Sequence, residues 1–243
     1  MNPRLAKIRE AEKNYHEACY DNYRLFEAGS WLAKPVKTVM DTLKEFQNRP
    51  VLNILDLGCG VGRNSIPMAQ ALKGRTGQVV CVDLLDRALQ KLEGYSREFG
   101  VKEYITTEHS DIGDYAIEEK GFDYIIAVSA LEHVESEVKL IQVLDRMARG
   151  TREGGINCLI MSTQVEEVDK VTGEALDPYY ELNLTTGYTR ELLLSSYAGW
   201  DIRYTTVRSL QYEIERDGRA IYLKGDCLTY VFRKPEVNKS IPS

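Results

Sequence analysis

Residues 54–66 read Ile-Leu-Asp-Leu-Gly-Cys-Gly-Val-Gly-Arg-Asn-Ser-Ile. A short apolar run carrying Asp56 enters three glycines at alternate positions, Gly58, Gly60 and Gly62. Without a Cβ the backbone adopts positive φ readily, so such a turn bends sharply and lets a ligand press against it. A helix starting just beyond would offer unpaired N–H groups to that ligand. A second carboxylate, Asp83, closes the apolar run 78–82, about 20 residues past the turn. At that separation an acidic side chain accepts both hydroxyl protons of a nucleoside ribose. Its competing role is to cap the amphipathic segment opening at Asp86 and Arg87. Glu132-His133 follows the apolar run 124–128. A histidine there suits a general base, since its unperturbed pKa lies near neutrality; it equally suits capping the next helix and packing beneath a pocket. Glu132 reads either as part of the same site or as a solvated helix-start carboxylate favoured by the dipole.

These residues need a scaffold, and the hydrophobic pattern supplies one. Apolar runs recur at 51–57, 78–82, 105–109, 124–128 and 156–161, nearly continuous as in parallel strands covered on both faces. Helical patterns alternate with them, which signals βαβ units. Over 86–99 the spacing puts Leu89, Leu92 and Phe99 on one face; over 135–149 it puts Val138, Ile141 and Leu144 there. A helix starting near Asn64 takes Pro67 into its first turn, where a missing N–H costs little. Residues 1–48 read as two further helices, 4–27 with Tyr15, Tyr20 and Tyr23, and 35–46 with Val36, Val39, Leu43 and Phe46 and with Pro35 as first residue. After Ser162 come a long loop bearing Tyr179 and Tyr180, a short helix near 189–197, and two strand-like runs joined by the turn pair Asp217-Gly218. The expected division is a helical lid or substrate segment over 1–48, one α/β domain over 49–234 and a loose tail over 235–243.

Composition narrows the function. The 243 residues are 43% hydrophobic and 28% charged, suited to one globular α/β domain with a modest appendage. A net charge of -6 opposes binding to a polyphosphate backbone. Neither a span of about 20 apolar residues nor a signal-peptide core is present, so a cytoplasmic protein is expected. Five scattered cysteines and three histidines lack metal-ligand or disulfide spacing, so no metal is expected.

Taken together, these motifs resemble class I S-adenosylmethionine (SAM)-dependent methyltransferases from about residue 51 to 234. The rival, a dinucleotide-binding G-x-G-x-x-G turn of a nicotinamide oxidoreductase, would need glycine or alanine where Arg63 stands. The resemblance implies a doubly wound, seven-stranded, mostly parallel Rossmann-like sheet with its last strand antiparallel, closed by the Asp217-Gly218 hairpin. It implies that SAM is held by Asp56, Gly58, Cys59, Gly60 and Gly62 in the turn, by Asp83 and Leu84, by Asp111 and Ile112 near the adenine amino group, and by Ser129 at the end of the fourth strand. Glu153-Gly154-Gly155 before the fifth strand completes the landmarks. More narrowly, Gly60-Val-Gly62-Arg63-Asn64-Ser65 and the Tyr197-Ala-Gly-Trp200 turn resemble the tellurite-resistance methyltransferases, whose members methylate chalcogen oxyanions or related small acceptors. Residues 129–134 depart from that family toward general small-molecule methyltransferases.

The expected reaction is methyl transfer to a small molecule, with His133 as base, or Arg63 clamping an anionic acceptor or pairing with an acidic neighbour. Asp56 offsets the sulfonium charge or fixes the turn. Tyr15, Tyr23, Tyr179 and Tyr180 join His133 as expected acceptor contacts, the first two on a helix that acts as lid, docking face or both. A non-catalytic SAM-binding regulator remains the alternative of another class. Nucleic acid is not an expected partner: the fourth run ends Ser129-Ala130-Leu131, without the Pro-Pro-aromatic pattern used on base amines.

Overall fold

The apolar runs pair into a single sheet. The structure is a computed structural model that describes residues 3–216 and 218–236. Strands β1 (Val51–Leu57), β2 (Thr76–Asp83), β3 (Ile105–His109), β4 (Phe122–Val128) and β5 (Thr151–Asp169) run parallel. β6 (Ala175–Leu176) is a two-residue addition to β5, and β7 (Asp201–Arg216) and β8 (Arg219–Arg233) form the closing hairpin. The order is β3-β2-β1-β4-β5-β8-β7, with β8 antiparallel to both neighbours. The expected seven-stranded path is therefore present, and β6 hangs from it as an eighth strand.

Helices cover both faces: α1 (Pro3–Asn22), α2 (Lys37–Leu43), α3 (Ser65–Ala71), α4 (Asp86–Glu98), α5 (Glu137–Gly150) and α6 (Thr186–Ser196). Successive strand residues point to opposite faces. Ile54, Tyr124 and Ile126 thus pack with α2, α3 and α4, while Leu55, Ile125 and Ala127 pack with α5 and α6. All seven residues of β4 are buried, as a central parallel strand requires. No helix among the described residues is long and apolar enough to cross a membrane.

Several local expectations shift. α5 begins after Ser136, whose hydroxyl accepts the Lys139 N–H at 3.3 Å. Its buried stripe is Leu140, Val143, Leu144 and Met147; Val138 and Ile141 are 64% and 44% exposed. A row of i, i+3 steps drifts around a 3.6-residue helix, so 138, 141 and 144 do not share a face for long. α2 starts at Lys37 rather than Pro35 because Val36 is extended and donates its N–H to Asn64 Oδ1 at 2.9 Å. α1 stops at Asn22, short of residue 27. β5 begins before Gly154 and Gly155 and continues past Met161 through a bulge between Thr163 and Glu166. In the hairpin, Arg216 pairs with Arg219 and Gly218 takes φ +72°, while Asp217 lies outside the described residues, as do tail residues 237–243.

Candidate active site

The polar residues gather at the C-terminal ends of the parallel strands, where β1 is flanked by β2 on one side and β4 on the other. That reversal of strand order is the place where open α/β sheets bind ligands.

Gly58 and Gly60 turn the chain with φ +73° and +53°. A Cβ on Gly58 would stand 2.4 Å from Ala130 Cβ, and one on Gly60 would stand 3.0 Å from the Tyr20 hydroxyl. Only glycine lets the turn pass beneath β4's end and α1. The Gly58 and Cys59 N–H groups donate to the Val82 carbonyl at 2.8 and 3.0 Å, and the Gly60 N–H donates to Asp83 Oδ2 at 2.7 Å. These three donors are thus engaged within the protein rather than free, because they pin β1's exit to the end of β2. Gly62, at φ +93°, abuts Leu92 of α4.

Asp83 Oδ1 also accepts the Leu85 N–H at 2.9 Å, so this carboxylate shapes the entry to α4 as well as bracing the glycine turn. Burial raises its pKa, against the pull of those backbone hydrogen bonds. Asp56, 1% exposed, accepts the Ser65 hydroxyl at 2.6 Å. Burial lifts it to about 7, offset in part by Ser65. Leu84, 46% exposed, and His109 border a cavity of about 460 Å³ between α1 and α4 that Arg9 and Gln90 also line. Asp111 accepts Arg9 Nη2 at 2.9 Å and the Gly113 N–H at 2.8 Å, with Ile112 packed on the α5 side. Ser129 holds φ +50°, uncommon for a residue with a side chain, and donates its N–H to Ile160 at 2.7 Å.

α1 crosses above these strand ends. Arg9, Glu12, His16 and Tyr20, spaced three and four apart, form one stripe of the helix. Arg9 meets Asp111, and Tyr20 meets Gly60. Glu12 lies within electrostatic reach of Glu132, His133 and Glu181. Tyr15 and Tyr23 differ from the expectation: they are 56% and 39% exposed, whereas Tyr20 is buried over the turn. Tyr15 lies about 100° around the helix from His16, and Tyr23 lies past the end of α1 at Asn22, so Tyr20 is the one of the three that the helix carries on that stripe. His16 lies 6.0 Å from Trp31 and 5.8 Å from Tyr20, centroid to centroid. Arg63 sits behind this aromatic group, its guanidinium 4.9 Å from the Trp31 ring centroid and Nη1 donating to the Trp31 carbonyl at 2.9 Å.

On the other side of β4, His133 Nδ1 donates to Glu181 Oε2 at 2.9 Å, and the Tyr180 ring stacks on the imidazole at 5.9 Å. Burial alone would lower the His133 pKa; the Glu181 hydrogen bond and the charges of Glu132, Glu181 and Glu12 outweigh it and raise it to about 9. These neighbours favour the imidazolium, the form that donates to Glu181. Glu132 is 1% exposed, buried rather than a solvated helix-start carboxylate, with Oε1 accepting the Ser162 N–H at 2.8 Å. Tyr179 stands apart from His133, its ring beneath Arg216 and Lys7, and its N–H donates to Glu167 at 3.1 Å. With Arg4 bound to Asp177 at 3.2 Å, the 177–181 loop clasps α1. Among the described residues no group of three or more His, Cys, Asp or Glu side chains is arranged to hold a metal.

Glu12, His16, Tyr20, Trp31 and Glu181 are site residues that the local patterns did not single out. The i, i+4 spacing of Glu12, His16 and Tyr20 is the one signal that pointed to the first three.

Residues 54–155 match the family model described as methyltransferase domain. Carboxy-S-adenosyl-L-methionine synthase of Shewanella piezotolerans is 25% identical over 162 residues, covering 63% of this chain and 61% of that protein. The chain thus spans about three fifths of the length of such curated relatives. Among solved structures, TehB from Haemophilus influenzae superposes with a TM-score of 0.61 at 19% identity, over 91% of this chain and 66% of that one. A SAM-dependent methyltransferase from Methanosarcina mazei gives 0.58 at 16% identity, over 84% and 100%. The match to the methyltransferase-domain model is thus confined to residues 54–155, and the solved structures share the Rossmann-like fold of the sheet.

Proposed function

We propose that the protein is a SAM-dependent methyltransferase that acts on a small molecule in the cytoplasm. The observation that carries this reading is the glycine turn tied to Asp83 at the switch in strand order, roofed by the polar stripe of α1. The residues suit a nucleoside sulfonium. Gly60 leaves room that a Cβ would fill, Asp83 offers the carboxylate for ribose hydroxyls, and Leu84 and Ile112 flank the adenine side with Asp111 for its amino group. Asp56, Gly58, Cys59, Gly62 and Ser129 frame the methionine end.

SAM, when bound, supplies a methyl group on a positively charged sulfur. The protein's part is alignment and exclusion of water, together worth several kcal/mol. The α1 stripe covers the strand ends, and the 177–181 loop holds α1 in place. Asp83 fixes the turn, so its orientation is set before any ligand arrives. The carboxyl groups around His133 favour its imidazolium form, which donates to Glu181 and suits holding an acceptor more than taking its proton.

Titration calorimetry with SAM, S-adenosylhomocysteine and NADH tests this. The two sulfur compounds should bind and NADH should not. In Asp83→Ala the affinity for S-adenosylhomocysteine should weaken by about 1–3 kcal/mol, the scale of charge-assisted hydrogen bonds. Unchanged affinity in a folded variant would refute the ribose assignment. Binding without transfer to any acceptor would favour a regulator instead.

A chalcogen oxyanion acceptor, as in tellurite resistance, is a second reading. The Gly60–Ser65 turn and the likeness to TehB favour it. Arg63 would then take the anion, and its removal should raise KM for tellurite or selenite.

A further inference from the structure

The acceptor's class can be named if the methyltransferase reading above holds, on which this inference rests. Three carboxylates converge where α1 crosses the ends of β4 and β5: Glu12 from α1, Glu132 from the turn after β4, and Glu181 from the loop before α6. One cation, His133, answers Glu181. His16 lies 3.6 Å from Glu12 but is neutral, since burial and the charge of His133 lower it to about 4. Arg216 pairs with Glu167 and covers Tyr179. Carboxyl groups therefore outnumber cationic partners in the cluster.

One atom marks where the missing partner belongs. Glu132 Oε2 is buried and has no hydrogen-bond partner among the described residues, although Oε1 is satisfied by Ser162. A buried carboxylate oxygen in that state is costly and is relieved by a donor. Beside Ser162 opens a cleft of about 40 Å³ walled by Val165, Tyr180, Leu210, Tyr212 and Leu223, with the charged residues Lys224 and Asp226 also lining it. A hydrogen-bond donor attached to a largely apolar body suits that oxygen and that cleft.

We propose that the acceptor is an amine on an apolar or aromatic body, its nitrogen held by Glu132 with Glu12 facing it from α1. The bound ammonium first gives one proton to Glu12, and the nitrogen lone pair so freed forms the new N–C bond while the carbon–sulfur bond breaks, its electron pair staying on sulfur. The surplus proton of the alkylated ammonium passes to Glu132 and then to water. Burial raises the pKa of both Glu132 and Glu12, which makes each a better proton acceptor than a surface carboxylate. Anions are disfavoured by the same cluster, whereas thiols and phenols bring one donor without a positive charge.

Benzylamine, benzyl alcohol, thiophenol and selenite serve as probes of the full-length protein. With S-adenosylhomocysteine bound, benzylamine should bind about tenfold or more tighter than benzyl alcohol. With SAM, benzylamine should be methylated, and Glu132→Gln should raise its KM about tenfold or more while S-adenosylhomocysteine affinity stays within about twofold. Glu12→Gln, on the outer helix, should shift KM in the same direction. Equal binding of benzylamine and its alcohol, or turnover of thiophenol or selenite without the amine, would overturn the inference. So would a Glu132→Gln protein that loses SAM but keeps S-adenosylhomocysteine, since the cluster would then be balancing the sulfonium. Failure of the wild type to bind either sulfur compound would overturn the methyltransferase reading and this inference with it.

Discussion

His133 combines burial with charge, and its neighbours explain how. Glu181 lies 2.9 Å away with its side chain 3% exposed, and Glu132 and Glu12 add their fields. The folded-state pKa of about 9 lies above the usual 6.5, so the stabilisation is fully present below pH 6.5 and is lost as pH rises through 9. Urea denaturation should therefore show stability falling from about pH 6.5 to 9, by up to about 1 kcal/mol per unit. The Glu181→Gln protein should lack most of that slope. A slope equal to that of the wild type would mean that the imidazolium is not held by Glu181. Asp83 follows the same economy of position: one carboxylate takes two backbone N–H groups and still faces the site. Its replacement is expected to loosen both the turn and the ligand.

α1 is the element on which the site depends most. Ile8, Cys19 and Tyr20 are its buried side chains, a thin apolar anchor for 20 residues. Most of its hold is polar: Arg4 to Asp177, Arg9 to Asp111, and Asp21 to Arg87 at 2.5 Å. The first and last of these are exposed ion pairs, which contribute about 0–1 kcal/mol each, and only Arg9–Asp111 is part-buried, so the helix should open more readily than the sheet. Hydrogen exchange over residues 3–22 should slow when S-adenosylhomocysteine is added, and Arg9→Ala should speed it without ligand. Equal protection with and without ligand would make α1 a fixed arm instead of a lid. α5 gives a sharper packing test. Leu144→Ala should cost about 2–5 kcal/mol, and Val138→Ala should stay within about 0.5 kcal/mol in the same denaturation assay.

Across the whole molecule the two edges of the sheet divide the work. The C-terminal edge carries the buried carboxyl groups Asp56, Asp83 and Glu132 and the half-buried His133. At the opposite edge Asp123, 3% exposed, accepts Arg49 at 2.7 Å, Arg152 at 2.9 Å and the Asn53 N–H at 2.9 Å. That node ties β1, β4 and β5 together where no ligand approaches. Asp123→Asn should lower stability by about 2–3 kcal/mol, because two guanidiniums lose their counter-charge. The affinity of the folded variant for S-adenosylhomocysteine should not change. A loss of affinity matching the loss of stability would show that the edges are coupled.

The glycine turn, the parallel strands and the closing hairpin could all be read from the chain alone. Each is encoded within a few residues: alternate glycines for positive φ, unbroken apolar runs for strands covered twice, and a turn pair between two strand-like runs. What only the tertiary structure decided lies between residues far apart. His133 meets Glu181 across 48 positions, and Arg9 meets Asp111 across 102. No local period announces such contacts, because they depend on where α1 and the 177–181 loop come to rest. The same holds for Tyr20 against Tyr15 and Tyr23, since composition does not say which side of a helix will face the sheet. A histidine near neutrality in isolation becomes an imidazolium only once three carboxylates converge on it. Backbone geometry is local and so legible in the chain; electrostatics acts through space and had to await the fold.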